Sequence, residues 1–363
     1  MAFSNTLIST GASQGGKTLD AKIERIHAGK ATRHDFIIAD AKDADMAFGI
    51  ASAGPNRTGT CKHGYNESQG CFQTMSEYRE QIRAVIKQGL VDIMLLSASN
   101  LEILAIEEKL FQKSKITPAA RANDATDVWA VRGGTYVCQP SRNFRTASLD
   151  HIKYGKLETT NNFRRPALGA DLGLYSVTFT NDLGWDHQAL EDFYAFRIEA
   201  EQKCFRYFLE VFNPNVDPGI DPKVVGAFLN DCIVRCLAGV TNVGRPVFLK
   251  IPYNGPGPLE ELVSYDSRLI VGILGGSSGT TRDAFQLIHD AQKYGAKVAL
   301  FGRKINLSEH PLAFIKFLRL ITDGEITPEE AVRAYHGVLE KSNVLPARSL
   351  KDDLILTPNK LSY

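Results

Sequence analysis

The sequence has no excess of charge, no long apolar run and no paired-cysteine motif. Lysine and arginine together number 42 and aspartate and glutamate 41, a net charge of +1. So balanced a chain has no diffuse attraction for nucleic acid or an anionic membrane, and any anion site must be local. No stretch approaches the roughly 18 apolar residues a membrane span needs. The opening MAFSNTLISTGASQGGKTLD lacks a basic segment followed by an apolar one, so no secretory signal is expected. Six cysteines stand at 61, 71, 138, 204, 232 and 236 without a CxxC pair. They read as reduced thiols, with a zinc site from Cys61, His63 and Cys71 as the weaker alternative. The expectation is a cytoplasmic protein with no nucleic-acid partner and no membrane partner.

What is present is alternation. Eight short β-rich runs recur: DFIIAD (35–40), VDIMLLS (91–97), TDVWAV (126–131), LGLYSVTF (172–179), YFLEVF (207–212), PVFLKI (246–251), LIVGIL (269–274) and KVALFG (297–302). They are continuously apolar, as strands covered on both faces are. Amphipathic patterns lie between them: NLEILAIEEKLFQKS, HQALEDFYAFRIEAEQKCF and TTRDAFQLIHDAQKYG, the last stopped by Gly295. Eight β-then-α units predict an α/β fold, a (β/α)8 TIM barrel. An open doubly wound sheet is the alternative.

The barrel is expected over 35–345, after an N-terminal extension (1–34) and before a C-terminal tail (346–363) that packs on it or reaches another subunit. Residues 41–73 and 132–171 are too long for minimal connections. They follow the first and third runs, on the face where barrels carry their sites.

Glycines cluster after the seventh run, in Gly275-Gly276-Ser277-Ser278-Gly279, and Gly302-Arg303-Lys304 follows the eighth. Small residues let backbone N–H groups approach an anion, and the helix that begins next is expected to add its own N–H groups. Lys250 lies in an apolar strand, which is costly unless the amine is neutral or paired. A neutral amine can attack a carbonyl. Glu210, on the preceding strand, is placed to move protons for it or to pair its charge. Asp40, with Lys42 nearby, ends the first run and is a third catalytic candidate. Arg132, after the third run, is a candidate for a second anionic group. Tyr253 is a weaker substrate-binding candidate, and Tyr175 is weaker still. Residues 11–18, GASQGGKT, match the phosphate loop of nucleotide hydrolases, with Lys17 and Thr18 in the key places. That motif needs a buried strand before it, and the polar AFSNTLIST does not supply one. A Gly-rich arm is the preferred reading.

Lys250 in LKIPYNG, the Gly275–Gly279 loop and FGRKI resemble the class I aldolases of the archaeal and bacterial fructose-bisphosphate type. Tagatose-bisphosphate and deoxyribose-phosphate aldolases are related to these. The resemblance is specific over about 205–305. It implies that Lys250 forms a Schiff base and that the two glycine-rich loops hold phosphate. It also implies no cofactor and no metal, because the protonated imine is itself the electron sink. The archaeal type has a tyrosine proton donor where this chain has Phe212, whereas Glu210 resembles the glutamate of the tagatose-bisphosphate branch. The function expected is carbon–carbon bond cleavage or formation in a phosphorylated ketose, by an enzyme that can associate as a homo-oligomer. The alternatives are a phosphosugar isomerase or epimerase and a non-catalytic sugar-phosphate-binding protein.

Overall fold

The computed structural model describes residues 16–56, 72–158, 165–276 and 279–357. The zinc alternative, Cys61, His63 and Cys71, lies outside these residues, as do Ser277 and residues 11–15.

Among the described residues ten strands occur: β1 (Ile37–Lys42), β2 (Ile93–Leu96), β3 (Thr117–Arg121), β4 (Asp124–Ala125), β5 (Asn143–Phe144), β6 (Leu172–Thr178), β7 (Arg206–Phe212), β8 (Leu249–Ile251), β9 (Val271–Leu274) and β10 (Val298–Phe301). Eight close into a parallel barrel in the order β1, β2, β3, β6, β7, β8, β9, β10 and back to β1, and β4 and β5 pair separately. The helices in chain order are α1 (Thr18–His27), α2 (Asp45–Phe48), α3 (Met75–Gln88), α4 (Ala98–Leu101), α5 (Leu149–Tyr154), α6 (Leu183–Gln202) and α7 (Val225–Leu237). After them come α8 (Pro256–Tyr265), α9 (Thr281–Lys293), α10 (Arg303–Leu307), α11 (Pro311–Asp323), α12 (Pro328–Lys341) and α13 (Leu350–Asp353).

Seven barrel strands fall on the expected runs; the third does not. The third strand is TPAAR, 117–121, not TDVWAV, 126–131. Its proline and alanines carry little β propensity, so local preference hides it. Register reveals it: Pro118 lies opposite Met94 and Ala120 opposite Gly173. The TDVWAV segment makes a short turn instead. Its Trp129 ring lies 5.1 Å from Phe144 and 6.1 Å from Tyr136, a small aromatic cluster over the β4–β5 hairpin.

Two cores follow from the two faces of each strand. Ile37, Ala39, Leu95, Ala119, Leu174, Phe208, Phe248 and Leu300 fill the barrel interior. Ile38, Met94, Leu209, Leu249, Ile273 and Phe301 face the helices. Phe208 and Phe248 stack inside the barrel at 4.6 Å. Helix α1 closes the base, with Leu19 fully buried and Ile23 and Ile26 packed on the interior cluster.

Lys17, the motif lysine, donates to the carbonyls of Phe111, Ser114 and Ile116 at 2.7–3.0 Å. These belong to the segment entering β3, at the N-terminal ends of the strands. That end is opposite the site face, and Thr18 begins a helix with no strand before it among the described residues. Lys17, its amine spent on three carbonyls at that end, is not placed as a phosphate-loop lysine; it anchors the plug.

At the same end Asp92 accepts from Lys22, Arg319 and the Ile38 N–H, each at 2.9 Å. Asp92→Ala would leave two largely buried cations without their shared anion. A loss of about 3–5 kcal/mol is expected in denaturant unfolding. A loss under about 1 kcal/mol would show that this clasp is not structural.

Candidate active site

The site lies at the C-terminal ends of β1, β3, β6, β7 and β8. Strand alternation turns Ser176, Glu210 and Lys250 inward, because Leu174, Phe208 and Phe248 two residues earlier are interior. Register then lines them up: Ser176 is opposite Glu210, Glu210 opposite Lys250, and Lys250 opposite Gly272. A Cβ on Gly272 would meet the Val298 Cβ at 2.6 Å and the Leu249 carbonyl oxygen at 2.8 Å. Only glycine fits beside Lys250 in this row.

The Lys250 ammonium is ion-paired with Glu210 Oε1, and the two side chains are 9% and 1% exposed. The other oxygen, Oε2, accepts from Ser176 Oγ at 2.7 Å and lies 3.7 Å from the Arg121 guanidinium. Arg121 donates to Asp43 Oδ2 at 2.6 Å and to Ser176 Oγ at 3.2 Å. Burial works against the Arg121 charge, but Asp43 and Glu210 more than offset it and hold the guanidinium above its usual range. Two cations and two carboxylates thus share one desolvated pocket, where each is tolerable only because of the others. Asn123 braces β6 by accepting from Ser176 N–H at 2.7 Å and donating to its carbonyl at 2.9 Å. Beyond Ser176 on the same face, Thr178 donates to Asp127 at 2.6 Å, and burial raises the Asp127 carboxyl.

Four sequence candidates, Asp40, Arg132, Tyr253 and Tyr175, are not brought to this pocket. Asp40 and Lys42 share the face of β1 that carries Ile38, so they point to the helices. Lys42 donates to Asn306 of α10 and lies 5.8 Å from the Tyr78 ring centroid of α3. Burial lifts the Asp40 carboxyl to about 6, against the pull of Lys42. The first-strand carboxylate in the pocket is Asp43. Arg132 does not end the third strand; it is exposed, 5.7 Å from the Phe72 ring. The cation that does end that strand is Arg121. Tyr253 is buried in the strand–helix layer, with Asp290 of α9 and Tyr294 just after that helix among its electrostatic neighbours. Tyr175 is buried there too, stacked 4.3 Å from Phe196.

The glycine loops stand together at the β9 and β10 ends. A Cβ on Gly275 would strike the Phe301 ring at 2.2 Å, so glycine lets the loop pass over β10. Lys304 of α10 donates to the Gly279 carbonyl at 2.7 Å, tying one loop to the other. Burial pulls its amine down to about 8. The Arg303 guanidinium lies 5.5 Å from the Phe48 ring.

The leading N–H groups of α9, expected to be open to an anion, are already taken. Thr280 N–H donates to Asp283 at 2.9 Å and Thr281 N–H to Asp353 at 2.7 Å. Asp353 comes from the C-terminal tail and is also held by His336 at 3.0 Å. Burial opposes its charge, but these hydrogen bonds keep the carboxyl below its usual range. Among the described residues, no cluster of three or more His, Cys, Asp or Glu could hold a metal, and no helix is long and apolar enough to cross a membrane.

No protein-family model and no curated protein matches the sequence. Solved structures do match. An archaeal fructose 1,6-bisphosphate aldolase superposes with TM-score 0.56 at 15% identity, over 84% of this chain and 99% of the other. The same values hold for an archaeal enzyme captured with its catalytic lysine bound to the carbinolamine intermediate. The fructose-bisphosphate aldolase from Slackia heliotrinireducens DSM 20476 gives 0.58 at 13% identity, over 92% and 95%. In fold, the chain is similar to the class I fructose-bisphosphate aldolases. At this identity the likeness is one of architecture, and function must be argued from the pocket.

Arg121→Met would leave Asp43 and Glu210 buried with only Lys250 to balance them. The expected loss is about 3–5 kcal/mol in denaturant unfolding. Adding Asp43→Leu should recover part of it, since the pair then leaves together. A double variant as unstable as the sum of the single ones would show that the two side chains do not act as a unit.

Proposed function

We propose that the protein is a class I aldolase that forms or cleaves a carbon–carbon bond in a phosphorylated ketose through an imine on Lys250. The observation that carries this reading is the lysine: an amine on an interior barrel strand, buried and paired in register with a carboxylate. A buried Lys–Glu pair has a proton to exchange. Glu210 takes a proton from the Lys250 ammonium, and as the freed amine adds to the ketose carbonyl it delivers that proton to the oxygen; Glu210 then takes a second proton from the nitrogen and passes it to the new hydroxyl, so that water leaves and the iminium remains. Glu210, again ionised, then takes the proton of the hydroxyl beyond the bond to be broken. That bond breaks, its electron pair moves into the iminium to give an enamine, and the aldehyde departs. Protonation of the enamine and addition of water release the second product and restore the amine. Arg121 and Ser176 hold Glu210 in place through these transfers.

Gly275, Gly276, Ser277, Gly302 and Arg303 supply the phosphate site in this reading. With Thr280 N–H taken by Asp283, Thr281 N–H by Asp353 and Gly275 N–H by the Leu300 carbonyl at 2.7 Å, the phosphate of this reading is met by the remaining donors of the two loops. The imine is its own electron sink, so the reaction calls for no resident cofactor. The reading fits a cytoplasmic enzyme.

A second reading rests on the same ion pair. In a phosphosugar isomerase or epimerase Glu210 would be the base and Lys250 would stabilise the enediolate charge without bonding to carbon. Borohydride separates the two. Added with a phosphorylated ketose, it should trap a mass adduct on Lys250 in the wild type, and Lys250→Met should fold, form no adduct and show no turnover. An adduct on another lysine, or turnover by Lys250→Met, would overturn the imine. Proton exchange without cleavage would favour the isomerase, and binding without either would leave a sugar-phosphate-binding protein.

Arg303→Ala tests the phosphate site. Loss of a charged contact costs on the order of 2–5 kcal/mol, so KM for a phosphorylated substrate should rise at least tenfold. An unchanged KM would remove Arg303 from the site.

A further inference from the structure

Asp127 is an acid at the barrel mouth that the chemistry proposed above leaves unused. It lies in the turn Thr126–Val128, which follows β4. That turn is fixed to the β4–β5 hairpin: Thr126 N–H donates to the Arg142 carbonyl at 3.0 Å, and Arg142 N–H donates to Thr126 Oγ1 at 2.9 Å. The carboxylate is held by two hydroxyls. Its Oδ1 accepts from Ser141 at 3.0 Å and its Oδ2 from Thr178 at 2.6 Å. Thr178 is the next inward residue of β6 after Ser176, whose hydroxyl donates to Glu210. Asp127 is thus one layer above the Ser176–Glu210 contact, toward the opening, and is itself half-buried. Phe212, opposite Thr178 in register, brings no titratable group to that layer.

The two carboxyl groups keep different company. Glu210 lies between two cations, Lys250 and Arg121. The partners of Asp127 are hydroxyls. Burial raises its carboxyl against the pull of those hydroxyls, and the charge of Glu210 adds to the rise. A hydroxyl serves either state of such a group, because it can turn to donate to the carboxylate or to accept from the acid. Carboxyls in such contrasting surroundings divide into a base and an acid.

Strand order supplies a direction. Around the barrel run β10, β9, β8, β7 and β6. On the proposed reading the phosphate is at the loops after β10 and β9, and the carbonyl carbon is on Lys250 of β8. The rest of the ketose then crosses the mouth toward β7 and β6, and the carbon next to the carbonyl is the first atom on that path.

We propose that Asp127 is the catalytic acid that protonates the enamine carbon once the aldehyde has left. The assignment rests on the aldolase reading and supplies the proton that its last stage needs. The Asp127 O–H bond breaks, and the electron pair of the enamine carbon–carbon double bond forms the new C–H bond. The nitrogen lone pair restores the iminium, which water then hydrolyses. Glu210 gives up to solvent the proton it took from the substrate hydroxyl, and Asp127 takes one back from solvent. Both carboxyls end the turnover as they began it.

Asp127→Asn keeps the shape of the side chain and removes the acid. With a phosphorylated ketose and borohydride it should still give the adduct on Lys250. Without borohydride it should release a single burst of aldehyde and then stall, with kcat lower by about 100-fold or more and KM little changed. In deuterated water the wild type should exchange a proton beside the carbonyl of the ketone product, through the same enamine, and the variant should lose that exchange. Asp127→Glu should recover part of both rates, and Asp127→Ser carries the same test should the asparagine variant melt early. A merely structural role would instead lower adduct formation and melting temperature together. Turnover and exchange at wild-type rates in a folded Asp127→Asn or Asp127→Ser would remove Asp127 from the reaction and leave the imine standing. A wild type that forms no adduct would sink the imine itself, and this assignment with it.

Discussion

Everything at the mouth of this barrel depends on keeping four charged groups neutral as a set. Arg121, Asp43, Glu210 and Lys250 come from four separate strands or strand ends and are all nearly excluded from water. Moving any one of them alone into such a place would be prohibitive. The barrel makes it possible by turning them into one pocket: Glu210 and Lys250 pair in register on adjacent strands, while Arg121 reaches Asp43 across β2 and Glu210 across β6. Small residues complete the arrangement: Ser176 gives a hydroxyl that both donates and accepts, and Gly272 gives space. The outcome is an amine and a carboxylate held in contact, which is the minimum a proton-coupled addition to a carbonyl requires.

The two ends of the barrel use similar charges for different ends. At the base, Asp92 is saturated by Lys22, Arg319 and the Ile38 amide, and Lys17 is saturated by three carbonyls. Groups with no bonding capacity to spare and α1 packed over them serve stability. At the mouth Glu210 is shared between Lys250, Ser176 and Arg121, and on the proposed reading that sharing serves proton transfer. Lys17 and Thr18, from the phosphate-loop spelling, lie at the wrong end, and the lysine has another occupation. A motif of this kind is a statement about a strand, a turn and a helix in sequence, and the letters alone carry no information about which of these is present.

The sequence made most of the barrel legible because seven strands advertise themselves with β-branched and aromatic residues. Thr117-Pro118-Ala119-Ala120-Arg121 does not, because a barrel interior also needs small side chains and register compensates for weak propensity. That one displacement had a chemical consequence: the cation read at the end of the third strand was Arg132, whereas Arg121 holds that place. Asp40 failed for a different reason. Lys250 and Glu210 are single charges within apolar strands, and each follows an interior phenylalanine by two positions. Asp40 lies one position from Ala39 and Ala41, both interior, so alternation turns it to the helices and turns Asp43 toward the pocket. The signal was present in the parity of β1. Asn123 and Ser176 carried no such signal, since an isolated serine or asparagine in a sequence has no direction until register supplies one.

The tail shows how the C-terminal segment shapes the site without touching the pocket. A helix N-terminus is an anion site by default, and this one is given an internal anion: Asp353 on Thr281, clamped by His336. Asp283 takes the preceding amide and also accepts from Thr357 N–H at 2.8 Å, which ties the end of the tail to the same turn. On the proposed reading these carboxylates repel a substrate phosphate from the start of α9 and press it toward the loops after β9 and β10. Lys304 bridges those loops, and Lys42, reaching Asn306 from the outer face of β1, fixes α10 to the first strand. On that reading the buried Asp40–Lys42 pair belongs to the frame behind the phosphate site, and the charges that the sequence suggested for catalysis divide into those that would meet the substrate and those that hold them in place.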